Sequence, residues 1–371
     1  MYKSKNILIV LIFSGFLAVM TLGLLLLPKK EFSAVENRYL EKMPKWDTQD
    51  VLNGTYMTSF ESYISDHVPF RDGWVQLHAL IERMSGKDEN GGVYFAKKDT
   101  LIKRVEEPDP TRIEKNISYI NTFAEKCSVK VYFGLIPTAA QVWAERLPEY
   151  APTTEESLWI QTCYENCIAQ PVDIQGALAE HSDENIFYRT DHHWTTLGAF
   201  YGANVIFETM GMSPLSEKDY EPVVVSDNFC GTLWSASGAW WTMPDTIETW
   251  VLNEGIKVTS WFDMKPEEGN LYHGAYLEKK DQYSFFLGGN QPLCVIETQK
   301  SGDKLLVLRD SYTDALAPFL TEQFSEIHLL DLRYNKSNVL EYINENEIDV
   351  VLILYGFSGF SEDRNLVFLS R

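Results

Sequence analysis

The chain has 371 residues, with 32 lysines and arginines against 53 acidic residues and a formal charge of −21. That length holds one large domain or two small ones, with ample apolar content for a core. No basic patch with interleaved aromatics occurs, which excludes a nucleic-acid partner and leaves the acidity as a solubility property of the surface.

Ile7 to Leu27 is a run of 21 residues without a charge. At roughly 1.5 Å per residue it spans about 31 Å, the thickness of a bilayer core. The run ends in Leu24-Leu25-Leu26-Leu27-Pro28-Lys29-Lys30, which offers no small-x-small cleavage site, so residues 1–30 read as an uncleaved single-pass membrane anchor. Lys3 and Lys5 are balanced by Lys29 and Lys30. The orientation, with the catalytic domain extracytoplasmic at the cell membrane, therefore rests on the single span and the short cationic amino terminus.

Residues 31–90 read as a membrane-proximal helical segment punctuated by Pro44, Gly54 and Pro69. Val93-Tyr94-Phe95 and Thr100-Leu101-Ile102 predict a hairpin around Lys97-Lys98-Asp99. After the break at Glu106-Glu107-Pro108-Asp109-Pro110, Ile113, Ile117, Ile120, Ala124 and Cys127 form an apolar helix stripe. Val129 to Ile136 predicts a strand, and helices are expected up to Leu147 and from Thr154 to Ala169. Asn185 to Tyr188 predicts a strand closing on Asp191, followed by a helix from Leu197 to Met210. Lys304 to Leu308, Ile327 to Leu332 and Val350 to Tyr355 predict three more strands, separated by helices at 314–322 and 337–345. Apolar strands alternating with helices argue for an α/β domain, residues 91–371, with a parallel sheet flanked by helices. Residues 213–299 break that rhythm and read as a β-rich insertion carrying Trp234, Trp240, Trp241, Trp250 and Trp261. The five cysteines include no Cys-x-x-Cys pair and read as buried free thiols.

Thr190-Asp191-His192-His193-Trp194 and Arg309-Asp310-Ser311-Tyr312 each lie between a predicted strand and a predicted helix. Open α/β sheets place their chemistry at the carboxyl ends of strands, so a Ser-His-Asp triad is the leading reading. Ser311 would be the nucleophile, His193 the base and Asp191 the residue that orients it, with the helix after Ser311 aiming N–H groups at an oxyanion. A hydrogen-bonded loop histidine is the bland alternative. A metal site on Asp191, His192 and His193 lacks a further ligand cluster, and no metal or organic cofactor is expected. Trp194 is a core wedge or a sugar-stacking platform; with Arg309 and Tyr355 it makes up the candidate substrate contacts.

Thr190-Asp191-His192-His193-Trp194-Thr195 resembles the hallmark of the DHHW family of bacterial proteins, and the wider Asp-x-His-Trp pattern is similar to that of the alginate O-acetylation proteins. Glu36-Asn37-Arg38, Asp66-His67-Val68-Pro69-Phe70-Arg71, Gly92-Val93-Tyr94-Phe95, Ile136-Pro137-Thr138 and Leu352-Ile353-Leu354-Tyr355 extend the resemblance over roughly residues 31 to 360. It implies an SGNH hydrolase-like fold whose Asp and His precede the serine, and a cell-surface polysaccharide as substrate. It also makes His193, not His192, the base. The implied activity is O-acetyl transfer or deacetylation, with transfer requiring an acetyl donor supplied across the membrane by a partner protein. A non-catalytic glycan-binding or assembly protein on the same fold is the rival. One departure is visible: Arg309-Asp310 precedes Ser311, where standard SGNH proteins have Gly-Asp.

Overall fold

The computed structural model describes residues 2–262 and 265–370, with backbone alone for residues 2–4. Met1, Asp263, Met264 and Arg371, assigned above to the anchor, the insertion and the end of the main domain, lie outside the described residues. Two compact units are present: Met1–Gly91 with Ser235–Trp241, and Gly92–Trp234 with Thr242–Arg371.

In the first unit, α1 (Tyr2–Leu26) contains the stretch Lys5–Leu26, which is long and apolar enough to cross a membrane. Three further helices follow: α2 (Thr48–Asn53), α3 (Thr55–Asp66) and α4 (Arg71–Met84). Asp47 caps α2 by accepting from the N–H groups of Gln49 and Asp50, and Gly54, at φ 86°, supplies the left-handed turn into α3. Arg38 donates to both carboxylate oxygens of Asp66 at 2.5 and 2.8 Å, and Arg71 donates to Glu36 at 2.7 and 2.9 Å. The hydrogen bonds from Arg38 hold Asp66 down at about 2. Two motifs distant in sequence thus lock each other.

The second unit opens with a hairpin, β1 (Val93–Ala96) and β2 (Thr100–Lys103), whose turn places Lys98 and Asp99 at positive φ. α5 (Pro110–Lys126), capped by Asp109, buries Ile113, Ile117, Ile120 and Phe123 along one face. β3 (Lys130–Ile136) leads into α6 (Ala139–Val142) and a 3₁₀ turn, Ala144–Arg146, so the helix expected up to Leu147 is broken after one turn. Next come α7 (Glu156–Glu165), β4 (Gln170–Val172), α8 (Ile174–Glu180) and α9 (Thr196–Met210). Residues 213–299 contribute β5 (Val223–Phe229), β6 (Asp245–Thr249), β7 (Lys257–Trp261), β8 (Pro266–Gly269) and β9 (Leu293–Glu297). The remainder supplies β10 (Lys304–Arg309), α10 (Thr313–Leu320), β11 (Glu326–Leu330), α11 (Val339–Glu345), β12 (Val350–Gly356) and α12 (Phe357–Glu362).

Eight strands form the main sheet in the order β8-β7-β9-β11-β10-β12-β3-β4. The five from β11 to β4 are parallel, whereas β9 runs antiparallel to β11, and β7 and β8 continue antiparallel outward. The expectation of a parallel sheet is corrected to a mixed one, because part of the insertion extends the sheet edge. Alternate residues of the central strands enter two separate cores: Val307, Leu352 and Leu354 pack with Phe200, Phe207 and Phe319, while Leu308, Val351 and Ile353 pack with Ile113, Phe123 and Ile343. Burial on both faces is why these strands read as unbroken apolar runs.

The predicted strand 185–188 is corrected too. Only an isolated bridge, Phe187 with Trp194, forms there. Tyr188 N donates to His193 O at 3.1 Å and Thr195 N to Ile186 O at 3.0 Å, so the segment closes on itself as a tight loop ahead of α9 and joins no sheet. Cys163 and Cys294 are buried free thiols; Cys127, Cys167 and Cys230 are also free but only partly buried.

Candidate functional site

Three carboxyl ends of parallel strands meet at one place: Ser311 follows β10, Thr138 follows β3, and Tyr355 lies at the end of β12. With His192 and Leu233 they line a cavity of about 210 Å³. Its position follows the rule that open α/β sheets bind at strand carboxyl ends.

His193, on the loop before α9, meets this cavity through Ser311. Its Nδ1–H donates to Asp191 Oδ1 at 2.6 Å, and its Nε2 accepts from Ser311 Oγ at 2.8 Å. Asp191 also accepts from the N–H of His193 at 3.0 Å, and from the N–H and hydroxyl of Thr232 at 2.7 and 2.8 Å. Burial alone would raise the Asp191 carboxyl; the neighbouring His192 and His193 and these donors hold it well below the usual carboxylate range. The Thr232 proton is committed to Asp191, so His192 Nδ1 donates to the threonine oxygen at 2.9 Å. Burial and the adjacent His193 hold the His192 imidazole below its ordinary value.

The loop is braced from several sides. Thr190 donates its N–H and its hydroxyl to Asp245 Oδ2 at 2.8 and 2.6 Å. Burial lifts Asp245 to about 6 against these bonds. Thr195 caps α9 through Gly198 N and donates to Asn185 O at 2.7 Å. Tyr312 donates its hydroxyl to His192 O at 2.6 Å. Gly231 runs so close beneath Asp191 that a Cβ there would lie 2.4 Å from Oδ2.

Of the predicted substrate contacts, two are corrected. Trp194 is fully buried, donates its indole N–H to Tyr312 O at 2.9 Å, and fills the space that Gly202 leaves in α9. Arg309 is equally sealed and pairs with Asp314 at 2.5 Å. Both build the scaffold beneath the loop and the elbow: Tyr312 O takes the Trp194 N–H and Asp314 holds Arg309 Nη1, while Arg309 Nε and Nη2 stay buried without a partner. Tyr355 is buried as well but lines the cavity.

The expected oxyanion donors of α10 are also spent. Asp310 Oδ1 accepts from Tyr312 N, Asp310 O from Thr313 N, and Ser311 O from Asp314 N. The N–H of Ser311 itself has no partner among the described residues. The first-turn N–H groups of Ala139 and Ala140 are uncapped, and both residues line the same cavity.

Asp191, His192 and His193 bring their ligand atoms within 4.8 Å of one another. A cation held there would compete with Thr232 and Ser311 for those same atoms. Sequence reasoning missed Thr232, Asp245 and Tyr283. All three belong to residues 213–299 and reach the loop through tertiary folding, with no local motif to mark them.

A family model described as DHHW protein matches residues 166–330. A DHHW family protein from Eubacterium siraeum shares the fold at a TM-score of 0.66 and 27% identity, covering 76% of this chain and 95% of that one. Bacillus cereus PatB1, solved with a sulfonyl adduct, superposes at a TM-score of 0.61 with 22% identity over 74% of this chain and 97% of its own. A probable alginate O-acetylase AlgJ of Pseudomonas fluorescens is 22% identical over 173 residues, 43% of this chain and 44% of that protein. The match thus spans less than half of the length of this curated relative.

Proposed function

We propose that the chain is a membrane-anchored, extracytoplasmic serine O-acetyltransferase or acetylesterase acting on a polysaccharide. The observation that carries this reading is the hydrogen-bonded line from Asp191 through His193 to Ser311, at 2.6 and 2.8 Å, ending at a residue that lines the cavity. Its order of partners suits a general base and its nucleophile. Ser311 Oγ attacks the acetyl carbonyl carbon as its proton moves to His193 Nε2. The tetrahedral oxyanion takes hydrogen bonds from Ser311 N–H and from the facing N–H groups of Ala139 and Ala140. Collapse breaks the ester bond, and His193 returns the proton to the departing alcohol. A glycan hydroxyl, or water, then attacks acetyl-Ser311 and gives its proton to His193; collapse breaks the bond to Ser311 Oγ, which takes that proton back as the new ester, or acetate, leaves. A cavity of about 210 Å³ suits an acetyl ester with part of one sugar ring. The distant similarity to alginate O-acetylases supports a polysaccharide as acceptor. Transfer would draw on an acetyl donor handed across the membrane by a partner protein.

The test is covalent. Phenylmethylsulfonyl fluoride should add one sulfonyl group to the detergent-solubilised full chain, mapped to Ser311 by peptide mass, and should stop turnover of a small acetyl ester. His193→Ala should abolish both. A folded protein that takes no adduct and turns over no ester would leave the non-catalytic glycan-binding reading in its place.

A further inference from the structure

A second cavity of about 380 Å³ shares no lining residue with the first, although Tyr188 and Thr195 of the same loop line its wall. Arg146, only 4% exposed, lies among that lining. Its guanidinium stacks 3.6 Å from the Trp143 ring, and one amino group donates to Ser182 O at 3.2 Å. Its Nε has no partner, and Arg146 forms no ion pair among the described residues. A buried guanidinium without a counter-ion is costly unless something completes its hydrogen bonds. Trp143 Nε1 and Tyr188 OH, also buried, are likewise unpartnered at the same cavity. The buried part of the wall therefore carries three unused donors of hydrogen bonds. Around them acceptors join the lining: Asp183 and Glu217 are exposed and Glu248 is half-buried, beside the exposed Lys98 and the half-buried Arg189.

Buried donors beneath exposed carboxylates describe a ligand with oxygen acceptors at its inner end and hydroxyl donors at its outer rim. We propose that this cavity is a saccharide subsite, holding one pyranose unit whose carbonyl-oxygen substituent, acetamide or carboxylate, meets Arg146, Trp143 and Tyr188. With Lys98 paired to Glu145 and Arg189 to Asp245, the remaining carboxylates at the mouth favour the uncharged acetamide. The cavity is of the size usual for small-ligand sites. A glycan chain seated here is gripped apart from the reacting ester, so binding and chemistry use different side chains. This rests on the polysaccharide reading of the Ser311 cavity.

The experiment is saturation-transfer NMR on the full chain in detergent, carrying Ser311→Ala so that no chemistry contributes. The probes are the methyl glycosides of glucose, N-acetylglucosamine and glucuronic acid. Expected is transfer to N-acetylglucosamine, strongest at the acetamide methyl, weaker transfer to the glucuronide and least to the glucoside. Arg146→Met should weaken it by at least tenfold in affinity while leaving an unbranched apolar side chain beside Trp143. Thr246→Trp, which adds bulk at an exposed mouth residue, should do the same without touching the core. In the Ser311-containing protein both variants should leave small-ester turnover unchanged. Equal transfer to the glucoside, or binding indifferent to both variants, overturns the subsite, as does a cavity that takes none of the three. Failure of the Ser311 reading shows separately, as absence of the sulfonyl adduct.

Discussion

The ring of Tyr283 lies flat on the imidazole of His193, centroids 3.8 Å apart and planes 9° from parallel, while its hydroxyl donates to Ser311 O at 3.1 Å. One side chain from the inserted region thus fixes the plane of the base and the backbone of the nucleophile together. Tyr283→Phe keeps the stack and loses the hydrogen bond, so kcat on a small acetyl ester should fall about tenfold. Tyr283→Ala removes both and should cost about 3 kcal/mol or more of stability besides, read by chemical denaturation.

Asp191→Asn should lower kcat by about 10³-fold or more, because the amide no longer fixes the Nδ1–H tautomer of His193. Thr232→Val removes one donor of the four that Asp191 accepts and should cost nearer tenfold. His192→Ala should change kcat far less than His193→Ala, since His192 faces Thr232 and not Ser311. Steady-state kinetics on the four variants check the ranking.

Gly231→Ala forces a methyl to within 2.4 Å of Asp191 Oδ2. Something must shift, and the neighbours are the carboxylate and its loop. Activity should drop at least tenfold and stability by about 1–3 kcal/mol. A variant with wild-type kcat would mean that the loop tolerates displacement.

Glu156, fully buried, accepts from the N–H and the hydroxyl of Thr138, yet burial lifts its carboxyl from the ordinary 4.5 to about 7. Between those values the native state keeps a proton that the unfolded chain has released, so stability falls as pH rises through the window. Glu156→Gln removes this dependence: it should stabilise by about 2–3 kcal/mol at pH 8 and change little at pH 4. Asp191 has the opposite sign. Its depressed carboxyl contributes stability above the unfolded value, lost as pH falls. Denaturation midpoints across pH, for wild type and Glu156→Gln, separate the two.

Trp194→Phe deletes the indole N–H that holds Tyr312 O, and should cost about 1–3 kcal/mol with KM for a glycan substrate unchanged. A rise in KM alone would restore Trp194 as a substrate contact.

How far the fold could be read from the chain depended on which forces were local. The central strands announce themselves because each is buried on both faces, and the Ile113–Ile120 stripe because one helix face is. Ile186-Phe187-Tyr188 misled for the same reason: buried apolar residues are equally needed in a loop that packs under Trp194. The pairing of β9 with β11 joins Leu293 to Leu330, and no local pattern records so distant a register. At the site, Asp191, His193 and Ser311 were legible as residue types at loop positions, whereas the capture of the Tyr312 N–H by the Asp310 carboxylate depends on a side-chain conformation that composition does not encode.

The strand at the heart of the sheet is also the last to be synthesised. β12 separates β10 from β3 and pairs with both along nearly its whole length. A chain folding amino terminus first therefore presents β3, then β10, with a gap between them. Until Val350–Gly356 arrives, β3 and β10 expose open, apolar edges that invite pairing with other chains. Maturation of the fold is then a race between completing the chain and misassociation, won only when Val350–Gly356 slots in as a keystone.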